Sequence, residues 1–243
     1  MTEPLLVTRG VTRRFGGFVA LDQVDLSVSA GERVGLIGPN GSGKSTLVNC
    51  IAGTLRQSGG SVRFEGRDVG DLAPHRRIRL GIARSFQIPR PFASMTVLEN
   101  LLVPLAYAGH AKAGRSRGDA ADEAMVILRQ VGLEAKAPQR SGELTQVDMR
   151  KLELARAIAS RPKLLVSDEA MAGLSSAEVD DIITILLEMK GRGIAVIMIE
   201  HIMRAVMRFS ERIAVLVAGR KIADGAPEAV LRNPEVERAY LGQ

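Results

Sequence analysis

The segment GPNGSGKST, from Gly38 to Thr46, has the residue types and spacing of a loop that binds phosphate groups. It fits G-x-x-x-x-G-K-[ST] and lies between a strand-like run, RVGLI, and a helix-like run, STLVNCIAG. Glycines let backbone N–H groups close around a phosphate, Lys44 brings a cation to the outer phosphates, and the Ser45 hydroxyl can bind Mg²⁺. The candidate phosphate-binding residues are Gly38, Pro39, Asn40, Gly41, Ser42, Gly43, Lys44, Ser45 and Thr46.

Two acidic residues follow an apolar run in KLLVSDE, where a strand is expected to end. Asp168 can hold Mg²⁺ or its water shell. Glu169 can polarise an attacking water as a general base. Acids at a strand end before a helix N-terminus can also be explained by the helix dipole alone. The phosphate loop makes the functional interpretation the better one.

Three further residues are candidates for the same site. His201 follows the strand-like run AVIMIE, so its imidazole is expected near Asp168 and the phosphate loop. Gln87 follows the short run IARSF, where a solvated amide is the ordinary interpretation. Phe15, in RRFGG, is expected in the core by residue statistics, although an aromatic before a Gly-Gly turn can also offer a face to a base.

The run GELTQVDMRKLELARAIA predicts a capped helix. Thr145 and Asp148 have the spacing of a capping box, and apolar residues then recur at helical period. These residues alone indicate a helix start and no chemistry.

The order of the predicted elements indicates an α/β fold. Short alternating runs before residue 73 predict a mostly antiparallel sheet, and strands alternating with helices after Arg161 predict a mostly parallel one. The middle, from Pro74 to about Arg161, is mainly helical. Thr96 and Glu99 open one of its helices, and another ends near Gly132. We therefore expect one domain, with a core lobe of residues 1–73 and 162–243 and a helical lobe of 74–161. Residues 108–118, AGHAKAGRSRG, predict an exposed mobile loop.

Composition limits the function further. The 243 residues carry a net charge of +6, but basic and acidic residues are intermixed and aromatic residues make up 3%. A base-stacking surface for nucleic acid is therefore not expected. A single cysteine, Cys50, permits no internal disulfide. The absence of a long apolar run and of a leader-like start predicts a soluble protein that is not exported.

Together, GPNGSGKST, Gln87, LLVSDE and His201 resemble the ATPase subunit of an ABC transporter, a P-loop NTPase, across almost the whole chain. The runs RSFQIPRPFASMTVLENLLVPL, LELARAIASRPKLLVSDEAMAGL and VERAYLGQ are similar to the subfamily that imports branched-chain amino acids and related solutes.

This resemblance implies roles for the candidate residues. Phe15 would stack on adenine and the phosphate loop would hold the phosphates of ATP. Mg²⁺ would lie near Ser45, Gln87 and Asp168, while Glu169 activates water and His201 contacts the terminal phosphate. The segment IPRPFASMTVLEN would face a transmembrane permease subunit, so the protein would lie on the cytoplasmic face of the inner or plasma membrane, served indirectly by a solute-binding protein.

The resemblance also gives the segment LTQVD, Leu144 to Asp148, a role. Family members carry Leu-Ser-Gly-Gly-Gln there and use it to cap the ATP of a second ATPase subunit. Thr145 retains the hydroxyl of the family's serine and, as the N-cap of the helix, still directs backbone N–H groups outward. Val147 replaces a glycine that approaches the phosphate, and Asp148 adds a negative charge. We therefore expect a heterodimer with a paralogue, in which the site capped by LTQVD is slow or silent.

Three alternatives remain open at this stage. The chain could be the ATPase of a lipid or lipopolysaccharide exporter, an ABC ATPase outside transport, or a subunit that binds ATP without hydrolysing it. Glu169 and His201 argue against the last of these. The transported solute cannot be derived from these residues.

Overall fold

The computed structural model describes residues 3–85, 89–107 and 117–241. These residues form two sheets and the helices around them. The strands are β1 (Leu6–Phe15), β2 (Phe18–Val28), β3 (Arg33–Ile37), β4 (Gly59–Phe64), β5 (Arg67–Asp68), β6 (Ile82–Ser85), β7 (Leu164–Asp168), β8 (Ala195–Ile199), β9 (Arg212–Val217) and β10 (Arg220–Gly225). The helices are α1 (Lys44–Ala52), α2 (Pro74–Leu80), α3 (Val97–Tyr107), α4 (Arg117–Gln130), α5 (Gln146–Ala159), α6 (Ser176–Gly191), α7 (Met203–Phe209), α8 (Pro227–Leu231) and α9 (Pro234–Leu241).

The smaller sheet is antiparallel and comes from the N-terminal part of the chain, as predicted. Its order is β2-β1-β4-β5. One face is apolar because buried residues such as Leu6, Val11 and Val62 alternate with more exposed neighbours. This sheet and β3 share one hydrophobic core, which also contains the buried face of α1.

The larger sheet has the order β10-β9-β3-β8-β7-β6. The strands from β9 to β6 run parallel, and β10 pairs antiparallel with β9 at one edge. Every residue of β7 and β8 is buried, as expected of strands covered by helices on both faces. The predicted mostly parallel sheet is confirmed.

The helices α3, α4 and α5 pack together in the middle of the chain around residues such as Leu101, Leu128 and Leu152. The lobe of residues 74–161 stays a prediction in its bounds. Strand β6 falls inside that range but pairs with β7 in the larger sheet, because its apolar residues complete that sheet's edge.

The predicted helix starts and stops agree with the described geometry. The Thr96 hydroxyl accepts from the Glu99 N–H at 3.1 Å, and the Glu99 carboxylate accepts from the Thr96 N–H at 2.8 Å, which completes a capping box. Gly132, with φ 72, follows the end of α4. Residues 108–116 of the predicted loop lie outside the described residues. Helix α4 begins at Arg117, so the prediction that residues 117 and 118 belong to the loop is wrong.

A buried arginine ties α2 to the C-terminal end of α1, whose N-terminal end carries the phosphate loop. The Arg77 guanidinium is 1% exposed and donates to carbonyl oxygens of Cys50 at 2.6 Å and Ile51 at 2.8 Å. It also donates to those of Gly70 and Leu72, each at 2.9 Å. A cation is favoured at a helix C-terminus, and here it satisfies carbonyls that the helix leaves without partners. Arg77 therefore holds the helix that positions the loop.

Replacing Arg77 by Met should destabilise the fold by about 3 kcal/mol or more, because three buried carbonyls and one partly buried carbonyl would lose a charged donor. The measurement is the free energy of unfolding from urea titration. Arg76→Met, on the exposed side of the same helix, is the control and should cost about 0.5 kcal/mol or less. Equal losses in the two variants would contradict this role of Arg77.

Candidate functional site

The carboxyl ends of three adjacent strands bring the predicted chemistry together. In the larger sheet, Leu36 of β3 and Asp168 of β7 both pair with Ile199 of β8. The phosphate loop, Glu169 and His201 follow these strand ends. Ligands of open parallel sheets bind at this edge.

Two glycines of the phosphate loop are required by close backbone approaches. Gly38 has φ 151, and a Cβ there would lie 2.0 Å from the Leu216 carbonyl oxygen. Gly43 has φ 103, and a Cβ there would lie 2.7 Å from the Ala20 carbonyl oxygen. Side chains at these positions would force the loop away from the strands β2 and β9. The glycines thus keep the loop compact as well as leaving room for a ligand.

Lys44 folds over the loop that precedes it. Its ammonium group donates to the carbonyl oxygens of Gly38 at 2.8 Å and Pro39 at 2.9 Å, and the residue is 5% exposed. Burial lowers the pKa of Lys44, while the nearby charges of Glu169 and Asp168 act in the opposite direction. A desolvated ammonium whose direct hydrogen-bond partners are neutral carbonyl groups favours an anion next to it. The loop therefore fits a phosphate group.

A second observation supports the same fit. The Ser42 hydroxyl is buried and has no hydrogen-bond partner among the described residues. Buried hydroxyls are normally satisfied, so an acceptor is expected here when the loop is in use.

The two acids have different surroundings. Asp168 is buried and its Oδ2 accepts from Arg84 at 2.5 Å, while the same guanidinium donates to the Asn49 side chain of α1 at 2.5 Å. Arg84 therefore links β7 to the helix after the phosphate loop. The Asp168 carboxylate is held rigidly at the sheet edge, where the prediction puts a metal ligand.

Glu169 sits at a strained backbone position. Its φ is 47, in the left-handed region that costs a non-glycine residue of the order of 1 kcal/mol or more. Its N–H donates to the Ile199 carbonyl oxygen at 2.9 Å, which fixes the turn against β8. Its Oε1 lies 3.1 Å from His201 Nε2. The turn thus aims the carboxylate at the imidazole of the neighbouring strand end.

Glu169, His201 and the phosphate loop line one cleft of about 300 Å³. The complete lining is Phe15, Phe18, Ala20, Asn40, Gly41, Ser42, Gly43, Lys44, Ser45, Thr46, Glu169 and His201. Phe15 is 47% exposed, so the expectation from residue statistics that it lies in the core is wrong. It is the last residue of β1, at the hairpin to β2, where it lines the cleft. Gln87 lies outside the described residues.

Thr145 is not among the described residues that line this cleft. Its hydroxyl accepts from the Asp148 N–H at 3.3 Å and caps α5, as predicted. The same hydroxyl contacts the Asp148 carboxylate at 2.6 Å, and that carboxylate pairs with Lys136. Burial opposes the charged form of Asp148, but the hydrogen bonds from Lys136 and Thr145 outweigh it and lower the pKa of this carboxyl.

Sequence reasoning missed two residues at the site. Arg84 is a charged residue inside an otherwise buried strand, which is an unusual pattern and a usable signal. Glu200 ends the run AVIMIE and is 3% exposed, and its carboxylate accepts from the Met171 N–H at 2.9 Å. Burial raises the pKa of Glu200. Its position beside His201 was visible, but its contact with the segment after Glu169 was not.

Two family models match the chain. The one described as ABC transporter matches residues 21–172, and the one described as branched-chain amino acid ATP-binding cassette transporter matches residues 220–243.

Curated proteins are similar over the full length. The chain is 38% identical to the high-affinity branched-chain amino acid transport ATP-binding protein BraF of Pseudomonas aeruginosa, with 100% of both chains covered. It is 37% identical to LivG, of the same description, from Escherichia coli K12, again with 100% of both covered.

Solved structures share the fold. One is the ADP conformation of an ATP-binding cassette of an ABC transporter, with 35% identity, a TM-score of 0.87 and 100% of both chains covered. A nucleotide-free ATP-binding cassette gives 34% identity and a TM-score of 0.87, covering 99% of this chain and 100% of that one. Because one family model spans more than half of the chain and these relatives match it from end to end, the chain belongs to the ATP-binding subunits of ABC transporters, within their branched-chain amino acid group.

Proposed function

We propose that this chain binds and hydrolyses ATP to energise an ABC importer of branched-chain amino acids or related small solutes. The observation that carries the proposal is the convergence of Lys44, Glu169 and His201 on one cleft. A phosphate-binding cation, a general base and a residue that orients it are then within one site.

Each of these side chains has a separate task. The Lys44 ammonium exchanges its carbonyl partners for the outer phosphates of ATP. The Glu169 carboxylate accepts a proton from the attacking water. The imidazole of His201 holds that carboxylate in place, and its exposed edge is free to meet the terminal phosphate.

Mg²⁺ is the metal that fits the donor atoms of this site. The hydroxyl of Ser45 and the carboxylate of Asp168 are hard oxygen donors, and Mg²⁺ in such sites uses one or two protein oxygens together with substrate phosphates. When bound, the ion would neutralise charge on the phosphates. Gln87 is proposed as a third donor. Arg84 fixes one oxygen of Asp168, which leaves the other oxygen for the metal or its water shell.

The proposed role in transport is based on the similarity of the chain to named transport proteins. BraF and LivG are named as branched-chain amino acid transport ATP-binding proteins. None of the helices in the described ranges is long and apolar enough to cross a membrane. From the relatives we infer that a permease supplies the membrane passage and that this subunit is attached to it peripherally on the cytoplasmic side. The exporter and non-transport alternatives are not favoured by these relatives.

The permease surface that we propose is the segment IPRPFASMTVLEN, of which Pro89 to Asn100 is described. Phe92 is 43% exposed, and the Arg156 guanidinium lies 5.1 Å from its ring centre. The backbone of Phe92 is held by Asn100, whose side chain accepts from its N–H at 2.8 Å. An exposed aromatic on a rigid backbone suits a docking helix of a membrane subunit.

Co-purification tests the direction of transport. We expect the chain to be isolated with the permease of a binding-protein-dependent importer, whose solute-binding protein is an indirect partner. Isolation with an export permease instead would overturn the importer assignment.

We also propose a second ATPase subunit as partner, with unequal ATP sites. Val147 lies in the first turn of α5, where a glycine would let backbone N–H groups approach the partner's ATP. Lys136 offsets the charge of the Asp148 carboxylate and Thr145 hydrogen-bonds to it, so the branched side chain of Val147 is the larger obstacle. The site capped by this segment would then be the slower one.

Replacing Glu169 by Gln should reduce ATP hydrolysis by about a hundredfold or more and leave ATP binding within about threefold, since an amide cannot accept the proton. Phosphate release and equilibrium nucleotide binding are the measurements. Glu188→Gln, on the exposed face of α6, is the matched control and should leave both unchanged. Undiminished hydrolysis in Glu169→Gln would exclude this residue as the base.

Replacing Val147 by Gly should raise the hydrolysis rate of the assembled complex, because the steric obstacle at the cap is removed. The rate is measured for the complex with its partner ATPase and permease. Val126→Gly, at an exposed position of α4, controls for the roughly 1 kcal/mol that glycine costs a helix. An unchanged rate, or full activity of a homodimer without any partner, would refute the unequal-site proposal.

Replacing Lys136 by Met should lower the free energy of unfolding at pH 7 by about 0.5 kcal/mol, because Asp148 loses its partner at a partly exposed site. The folded pKa of Asp148 is lowered. Its contribution is therefore present above the ordinary aspartate pKa and disappears as the pH falls through the folded value. Urea titrations at neutral and acid pH measure this difference.

The matched control is Lys136→Met in an Asp148→Asn background, where the substitution should have little effect. An equal loss in both backgrounds would show that Lys136 stabilises α5 by some other contact.

A further inference from the structure

Phe18 is an exposed aromatic residue that the proposed function does not use. It is 64% exposed, more than Phe15, although a phenyl ring normally gains about 2 kcal/mol on burial. It lines the cleft of the phosphate loop and also a neighbouring cleft of about 420 Å³, which Pro39 to Ser42 and Val217 to Gly219 line as well. Its ring therefore stands at the rim of the nucleotide site.

The hairpin between β1 and β2 places Phe18 beside Phe15. The two residues are directly paired across the strands, with only Gly16 and Gly17 between them. Gly16 has φ 58, as expected at the first turn position of a two-residue hairpin. Directly paired residues point to the same face of a sheet, so both rings project from the same side of the hairpin tip.

The Phe15 ring is in contact with the guanidinium group of Arg13. The Arg13 guanidinium lies 4.5 Å from the centre of its ring and donates to the Arg56 carbonyl oxygen at 2.8 Å. This contact fixes the Phe15 ring while leaving it half exposed. The hairpin thus presents one fixed ring and one opposite ring to the cleft.

The cleft is polar at one end and apolar at the other. Its polar side chains belong to the phosphate loop, Glu169 and His201, whereas β1 and β2 contribute Phe15, Phe18 and Ala20. A ligand whose phosphates occupy the loop would place its base against the hairpin. Base–aromatic stacking is tolerant of the base because every base has a π-face.

We propose that Phe18 is a second base-contacting residue, which together with Phe15 forms an apolar surface for the base of ATP at the hairpin tip. This inference rests on the proposed function, because it takes ATP as the ligand of the phosphate loop. The hairpin contributes no hydrogen-bonding side chain to the cleft lining. The base would therefore be held by stacking alone, and we expect the site to accept adenine and guanine alike.

The test compares nucleotides with inorganic tripolyphosphate, which has the phosphates but no base. For the isolated full chain, Phe18→Ala should raise the Kd for ATP and for GTP about tenfold each. The Kd for tripolyphosphate should stay the same. Tyr107→Ala, which removes an exposed ring at the end of α3, is the control and should change none of the three.

A fluorescent variant gives a second readout. The chain has no tryptophan, so Phe18→Trp introduces a single fluorophore at the rim. This variant should bind ATP with an affinity near that of the wild type and change its emission on adding ATP but not on adding tripolyphosphate. Tyr107→Trp should not respond to either.

The outcomes separate the two proposals. Unchanged ATP affinity in Phe18→Ala, or a loss of tripolyphosphate binding with it, would overturn the role of Phe18 and leave the ATPase assignment intact. A wild-type chain that binds neither ATP nor tripolyphosphate would overturn the proposed function itself.

Discussion

The pairing of β7 with β8 is the constraint on which the site depends. Asp168 lies opposite Ile199, and the next residue, Glu169, donates its N–H to the same Ile199. That hydrogen bond holds Glu169 in a left-handed backbone conformation that an unrestrained glutamate would avoid. The carboxylate consequently faces His201, which leaves β8 two residues after Ile199. A shift of one residue between these strands would turn both groups away from the phosphate loop.

Charges of opposite sign lie close together at the carboxyl edge of the larger sheet and stabilise one another. Lys44 is desolvated, with Glu169 and Asp168 close enough to favour its charged form. Arg84 pairs with Asp168 and reaches α1 through Asn49. Arg77 fixes the far end of the same helix. Two arginines thus hold the C-terminal half of α1, the helix that follows the phosphate loop. On this fixed support, the Lys44 ammonium is proposed to exchange its carbonyl partners for a substrate anion.

Much of this arrangement could be predicted from the sequence because it is local. The phosphate loop, the strand ends at Asp168 and His201, and the caps at Thr96 and Thr145 follow from spacing within a few residues. Contacts between distant segments could not be predicted this way. Lys136 pairs with Asp148 from another part of the chain, Arg84 reaches Asp168 from the neighbouring strand β6, and Phe15 is exposed because its hairpin projects into the cleft. Each of these depends on packing that no local pattern encodes.

The central claim is that Lys44, Glu169 and His201 form one site that couples ATP hydrolysis to solute uptake. The most direct measurement is the release of phosphate from ATP together with uptake of radiolabelled leucine, in vesicles that contain the complete transporter. We expect hydrolysis and uptake to occur together and both to be lost when Lys44 is replaced by Ala. Leucine uptake that persists in that variant without hydrolysis would contradict this claim.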